Sequence, residues 1–293
     1  MTAERLREST PMTPPAPSKE IPVYSRFLNV GGIRTHYLDS GDGPTVILLH
    51  SGEFGGSAEL CWEYNIAPLA AAGHRVIAPD WLGFGRTDKL RDFVSGSDRM
   101  VRHMAAFLET MAIEEADFVG TSMGATTLLR ESSSARCRFP IRRLVLASGG
   151  GFVPDNPERR KILDYDGTPE AMEAILRANF TDPAWYSDRE YIERRVAASV
   201  EPGAWEAVAA ARFKSPATPP RTQFGQPDTI AYESIPFPTL AVAGGADQLR
   251  EPGYHSALER IPDSKVVVLD GAGHLFNIER ADEFNALTID FLG

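Results

Sequence analysis

The chain has 293 residues, 43% of them hydrophobic and 24% charged. That is long enough and apolar enough for one large α/β domain carrying an insertion, or for two ordinary domains. With 30 basic against 40 acidic side chains the net charge is −10, which argues against nucleic acid and anionic membrane surfaces as partners. The two cysteines, Cys61 and Cys137, have no Cys or His neighbours at metal-ligand spacing, so neither a metal nor any other cofactor is implied.

Residues 1–20 combine charge with a Pro-rich run and read as a flexible tail without a signal peptide. No segment has the apolar length of a membrane span. A cytoplasmic protein is the expectation. From Phe27 to Tyr37 two short strands meet at Gly31–Gly32, a hairpin signal. Six β-branched and aliphatic runs follow, the pattern of strands buried on both faces: Thr45–Leu49, Arg75–Ala78, Ala116–Gly120, Arg143–Ala147, Thr239–Ala243 and Lys265–Leu269. Helical spacing lies between them. Asp98–Met111 places Val101, Met104, Leu108 and Met111 on one face, and Met123–Arg130, Glu251–Arg260 and Ala281–Leu292 are further helices. The alternation predicts an α/β fold, with a mostly parallel eight-stranded sheet and helices on both faces. Residues 152–235 break the rhythm with charge, Trp and Pro. They read as a helical cap over the carboxyl edge of the sheet, leaving 21–151 and 236–293 as the core.

Gly120-Thr121-Ser122-Met123-Gly124 matches G-x-S-x-G between a predicted strand and a predicted helix. Such a turn holds its serine in a strained conformation above the sheet, and bulky residues at 120 or 124 would clash. The serine is a nucleophile only with a base beside it. Around this turn the partners follow in the order Ser, acid, His. His274, after the last strand in a Gly-rich loop, is the candidate base, and His50 is read as structural. Asp247, directly after Thr239–Ala243, is the candidate acid, ahead of Asp155 and Asp270. The loop His50-Ser51-Gly52-Glu53-Phe54-Gly55-Gly56 supplies the second arm of an oxyanion hole, with the amides of Gly52 and Met123 as the donors.

The segments ILLHSG, APDWLGFGRTD, GTSMGATTL and GAGHLFNIE together resemble the α/β-hydrolase superfamily from about Val23 to the end. The last helix and the segment Asp182–Arg195 are similar to meta-cleavage-product hydrolases, which break a carbon–carbon bond in vinylogous diketone acids. The resemblance implies a serine hydrolase of a small carbonyl substrate acting through an acyl-enzyme. A carboxylesterase or lactonase with the same triad, or a non-catalytic ligand receptor on the same fold, are the alternatives. It also implies a cap arginine, Arg195 or Arg194, facing the substrate carboxylate. Relatives often dimerise, so a homodimer is open, although no apolar stripe demands one.

Three positions depart from that family: Leu275 in place of Trp after the histidine, Thr121 in place of Asn before the serine, and Glu53 in a loop normally uncharged. If Glu53 faces the pocket, it repels an anionic substrate or serves as an extra acid–base group. With Ser51, Thr121, Arg195 and Leu275 it belongs to the expected substrate contacts, and Trp185, Phe180 and Phe213 line the pocket or fill the cap core.

Overall fold

The computed structural model describes residues 21–93, 96–210 and 224–293. Eight strands form one sheet: β1 (Val23–Val30), β2 (Ile33–Ser40), β3 (Thr45–Leu49), β4 (Arg75–Pro79), β5 (Ala116–Thr121), β6 (Ile141–Ala147), β7 (Thr239–Gly244) and β8 (Ser264–Leu269). Their order is β1-β2-β4-β3-β5-β6-β7-β8. The first two are an antiparallel hairpin turning at Gly31–Gly32, both with positive φ, and β2 pairs antiparallel with β4. From β4 to β8 every pairing is parallel.

The continuous apolar runs are explained by cover on both faces. Along β3, Ile47 and Leu49 join one cluster with Met104, Phe107 and Leu128, while Val46 and Leu48 join the opposite one with Trp62, Leu69 and Phe284. Helices α3 (Gly96–Thr110) and α4 (Met123–Ser132) supply the first side. The second is supplied by α1 (Ala58–Trp62), α2 (Ile66–Ala71) and, at the end of the chain, α11 (Ala281–Leu292).

Two expectations are corrected. The run Lys265–Leu269 is an edge strand, not one buried on both faces: β8 has only β7 beside it, and Val268 is 39% exposed. The helix read over Glu251–Arg260 is a 3-10 segment, Tyr254–Arg260, because Pro252 and the left-handed Gly253 (φ 77°) delay its start.

Between β6 and β7 the described residues include five α-helices: α5 (Pro157–Leu163), α6 (Pro169–Asn179), α7 (Pro183–Ser187), α8 (Arg189–Ser199) and α9 (Ala204–Ala209). The first four begin on a side-chain cap, Asn156, Thr168, Asp182 and Asp188. In three of them Pro stands at the first helical position, where its missing N–H is harmless. This layer has its own core, Met172, Ile175, Leu176, Phe180 and Tyr191, and shares it with Phe54, Leu275 and Ile278 of the main body. At roughly 1.5–3 kcal/mol for each large apolar side chain buried, those three core residues alone seat the insertion firmly.

The basic pairs of the sequence are engaged internally. Arg142 and Arg143 both grip the buried Asp117, Arg194 pairs with Glu63, and Arg195 with Glu53. Among the described residues, no helix is long and apolar enough to cross a membrane.

Candidate active site

Four strands deliver the candidate residues to one edge. β5 ends at Thr121, directly before Ser122. β3 ends at Leu49, before the His50–Gly56 loop. Asp247 lies just beyond β7, and His274 beyond β8. Because these strands run parallel, their carboxyl ends open on the same side, beneath the inserted helices.

Ser122 adopts φ 51° and ψ −107°, a left-handed backbone that a serine holds only under constraint. Its amide donates to the carbonyl of Ala147 at 2.8 Å and its own carbonyl accepts from Thr126 at 2.9 Å. The flanking glycines are required by contact. A Cβ on Gly124 would lie 2.1 Å from the carbonyl oxygen of Leu49, and one on Gly120 would lie 2.6 Å from the amide of Ala125.

Ser122 Oγ is 2.8 Å from His274 Nε2, and His274 Nδ1 is 2.7 Å from Asp247 Oδ2. The imidazole is fixed elsewhere too. Its backbone amide donates to the carbonyl of Asn179 at 2.7 Å, and Ser148 Oγ donates to its carbonyl at 2.6 Å. Asp247 accepts from the amide of Leu249 at 2.9 Å through Oδ1. Burial opposes its ionisation. The charge and hydrogen bond of His274, with Arg250 and that amide, prevail and hold the carboxyl below its ordinary range. Asp155 and Asp270 are exposed and absent from this row; Asp155 pairs with Arg160.

Gly52 packs on Met123, the residue after Ser122, so closely that a Cβ would meet Met123 Sδ at 2.6 Å. Among the described residues, nothing accepts from the Gly52 amide. As the first residue of α4, Met123 has an amide without an intrahelical acceptor. Two free donors beside one serine hydroxyl can receive an oxygen that becomes negative during reaction. His50 fastens this loop: Nε2 accepts from the Trp81 amide at 3.1 Å, so Nδ1 carries the proton it donates to the carbonyl of Ser51 at 2.6 Å. Burial lowers its pKa, and it stays neutral.

The expected substrate contacts behave differently. Ser51, Glu53, Thr121, Arg195 and Leu275 are all buried, and the polar ones are hydrogen-bonded to other protein groups. Arg195 Nη1 donates to Glu53 Oε1 at 2.8 Å, while Nη2 and Nε donate to the Tyr191 hydroxyl at 2.8 and 3.2 Å. The guanidinium expected to meet a substrate carboxylate is therefore already matched by a protein carboxylate. Burial opposes ionisation of Glu53, but the Arg195 charge and hydrogen bonds from Ser51 and Arg195 outweigh it, so Glu53 stays ionised and is no proton donor. Ser51 Oγ lies 3.6 Å from Cys61 Sγ, Asn277 Nδ2 donates to the Cys61 carbonyl at 2.8 Å, and Thr121 Oγ1 to Asn277 Oδ1 at 3.4 Å. Burial, and then the Glu53 charge, push the Cys61 thiol up to about 12. Leu275 packs in the cap core. Trp185 is half-buried, stacked on Phe180 and edge-on to Tyr191 and Tyr64. Phe213 lies outside the described residues.

Sequence reasoning missed Asn179, Ser148 and Asn277. Asn179 and Ser148 act through a backbone carbonyl and a hydroxyl brought in from distant segments. For Asn277, its place three residues after His274, on the turn of a short helix, was the available signal.

A second row of the same residue types shows what hydrogen bonds alone do not establish. Ser25 Oγ is 2.9 Å from His36 Nε2, and His36 Nδ1 is 2.7 Å from Asp80 Oδ2. Ser25, however, lies within regular strand β1, away from any helix start. Asp80 also accepts from the amides of Ala58 and Arg86, so this row clasps the hairpin to the loops after β3 and β4.

A strained serine between a parallel strand and a helix, in line with a histidine and an aspartate from later strand ends, defines a hydrolase of the α/β class. The chain belongs to the alpha/beta hydrolase family, whose profile matches residues 46–287. It is 34% identical over 274 residues to the 2-hydroxy-6-oxo-6-(2'-aminophenyl)hexa-2,4-dienoic acid hydrolase of Metapseudomonas resinovorans, covering 91% of this chain and 90% of that one. It is 32% identical to a 2-hydroxymuconate semialdehyde hydrolase of a Pseudomonas species, covering 92% and 94%. Among solved structures it resembles a meta-cleavage product hydrolase from Pseudomonas fluorescens, with a TM-score of 0.79 at 27% identity, over 93% of this chain and 98% of that one.

Proposed function

We propose that the protein is a serine-dependent hydrolase that cleaves a carbon–carbon bond next to a carbonyl in a small vinylogous diketone, through an acyl-enzyme. The carrying observation is the row Ser122–His274–Asp247, at 2.8 and 2.7 Å, on a strained serine. The bond type is what the resemblance to meta-cleavage-product hydrolases implies, and it is supported by relatives named as hydrolases of a 2-hydroxy-6-oxo-dienoic acid and of 2-hydroxymuconate semialdehyde. In this reading His274 Nε2 takes the Ser122 proton as Oγ attacks the carbonyl carbon, and the amides of Gly52 and Met123 bind the oxyanion. Collapse breaks the carbon–carbon bond. Its electron pair leaves as a dienolate, stabilised because the dienol has been converted to its keto form beforehand, and His274 returns the proton. Water, deprotonated by His274, then releases the acyl group as a carboxylic acid.

Ester or lactone hydrolysis is the second reading. It needs the same groups and only an alkoxide leaving group. The Glu53–Arg195 pair favours it, because the arginine expected for a diketone acid is already neutralised. The same reading keeps the enzyme in the cytoplasm, in line with two unpaired cysteines.

Wild-type and Ser122→Ala protein assayed with a chromogenic ring-cleavage diketone and a short p-nitrophenyl ester test both. Ser122→Ala is expected to reduce turnover by about four to six orders of magnitude. Serine-dependent diketone loss supports carbon–carbon cleavage, and ester turnover with an inert diketone supports the second reading. Binding without turnover in the wild type returns the protein to the receptor class.

A further inference from the structure

The geometry points to a substrate that is uncharged where it meets the oxyanion loop, with the Glu53 carboxylate standing in the place of a substrate carboxylate. The inference rests on Ser122 being the nucleophile. Glu53 follows Gly52, the proposed oxyanion donor, and its side chain reaches Arg195 across the seam between core and cap. The two side chains are 7% and 1% exposed, so water does little to screen them. Their charges cancel, and the Tyr191 hydroxyl takes two more of the guanidinium's N–H groups.

Along the same wall, among the described residues, the polar side chains are engaged with one another, and the free donors are the two backbone amides assigned to the oxyanion. Ser51, Cys61, Asn277 and Thr121 bind each other in sequence and end beside the nucleophile. The approach of the cap is built in at the backbone: a Cβ on Gly55, at φ 74°, would lie 2.7 Å from the Arg195 carbonyl.

A carboxylate entering here would lose its hydration, face the like charge of Glu53 and find, among the described residues of this wall, no cation without a partner in exchange. A neutral acyl or alkyl group meets none of these penalties. Removing the Glu53 charge reverses the situation. With Gln at this position, Arg195 is left buried with an unmatched charge, and an anionic substrate becomes its natural partner.

The test uses two matched ester pairs, so that the charge can sit on either side of the scissile bond. They are p-nitrophenyl pentanoate against mono-p-nitrophenyl glutarate, and phenyl acetate against para-acetoxybenzoate. The wild type is expected to favour the neutral member of both pairs by about tenfold or more in kcat/KM. Glu53→Gln narrows the ratio by about tenfold in at least one pair, through the KM of the anionic member, and adding Arg195→Met removes that gain. A wild type that favours an anionic member overturns the inference, as does a ratio in both pairs unmoved by Glu53→Gln. Should Glu53→Gln fail to fold, the wild-type preference decides alone. Ser122→Ala run alongside separates the two ideas. Turnover that survives it defeats the serine reading, whereas serine-dependent turnover with an anionic preference defeats only the neutral substrate.

Discussion

The backbone amide of His274 donates to the carbonyl oxygen of Asn179 at 2.7 Å, so the candidate base hangs from the last residue of cap helix α6. The same oxygen accepts from Leu275 at 3.2 Å. A Cβ on Gly273 would fall 2.5 Å from it. Gly273→Ala should therefore push the imidazole away from Ser122 and lower kcat by about a hundredfold, with a small change in melting temperature. Ester kinetics beside a thermal melt decide; an unchanged kcat means that the carbonyl does not position the histidine.

Asp247→Asn keeps an oxygen for the Leu249 amide but loses the charge that steadies the imidazolium and its tautomer. We expect kcat to fall by about ten-thousandfold with the circular dichroism spectrum intact. A loss smaller than tenfold would move the acid's role to another residue.

His103 gives the pH dependence of stability. It is buried on α3, with Nε2 2.9 Å from Thr35 Oγ1, and burial, then the Arg99 charge, lower its pKa from 6.5 to about 4. As pH falls from 6.5 toward 4 the unfolded chain takes up a proton there that the folded one refuses, so stability declines through that window and is higher above it. His103→Gln should flatten the slope of melting temperature against pH between these values; an identical slope would assign the dependence to other groups.

Asp117 sits buried at the far end of β5, with Arg142 and Arg143 each donating twice to its carboxylate. Asp117→Asn leaves two half-buried guanidinium groups short of a charge. The expected loss is about 3 kcal/mol in urea unfolding, with kcat at room temperature unaltered, since Ser122 is at the opposite end of the strand. A kcat that falls with stability would show the two ends to be coupled.

The elbow, the order of its partners, the hairpin and five of the six strands expected to be buried on both faces could be read from the chain because each leaves a local pattern. Gly120 and Gly124 flank Ser122, and Asp247 and His274 follow apolar runs. The edge position of β8 had no such pattern: Val266–Val268 reads like a central strand, and only the sheet order shows that, among the described residues, no strand pairs with its other side. Helices α1 and α2 are too short to show a period. The partner of Arg195 was hidden for another reason. Glu53 lies 142 residues away, and either side chain alone reads as a group waiting for substrate. Asn179 contributes a backbone carbonyl that any residue would have, so its role is invisible until the cap is in place.

The insertion departs from β6 at Ala147 and rejoins at Thr239 in β7, and these two strands are neighbours in the sheet. The sheet therefore closes its own pairing across the excursion, so that exchange of the described helices between them would leave the strand order untouched. Besides refilling the core shared with Phe54, Leu275 and Ile278, such an exchange has two polar conditions that touch the candidate site. A transplanted cap must present a carbonyl to the His274 amide and a cation to Glu53; without them the host keeps an unanchored base and a buried carboxylate with no counterion. Substrate range can thus drift by wholesale replacement of the roof, provided that those two points of attachment are inherited with it.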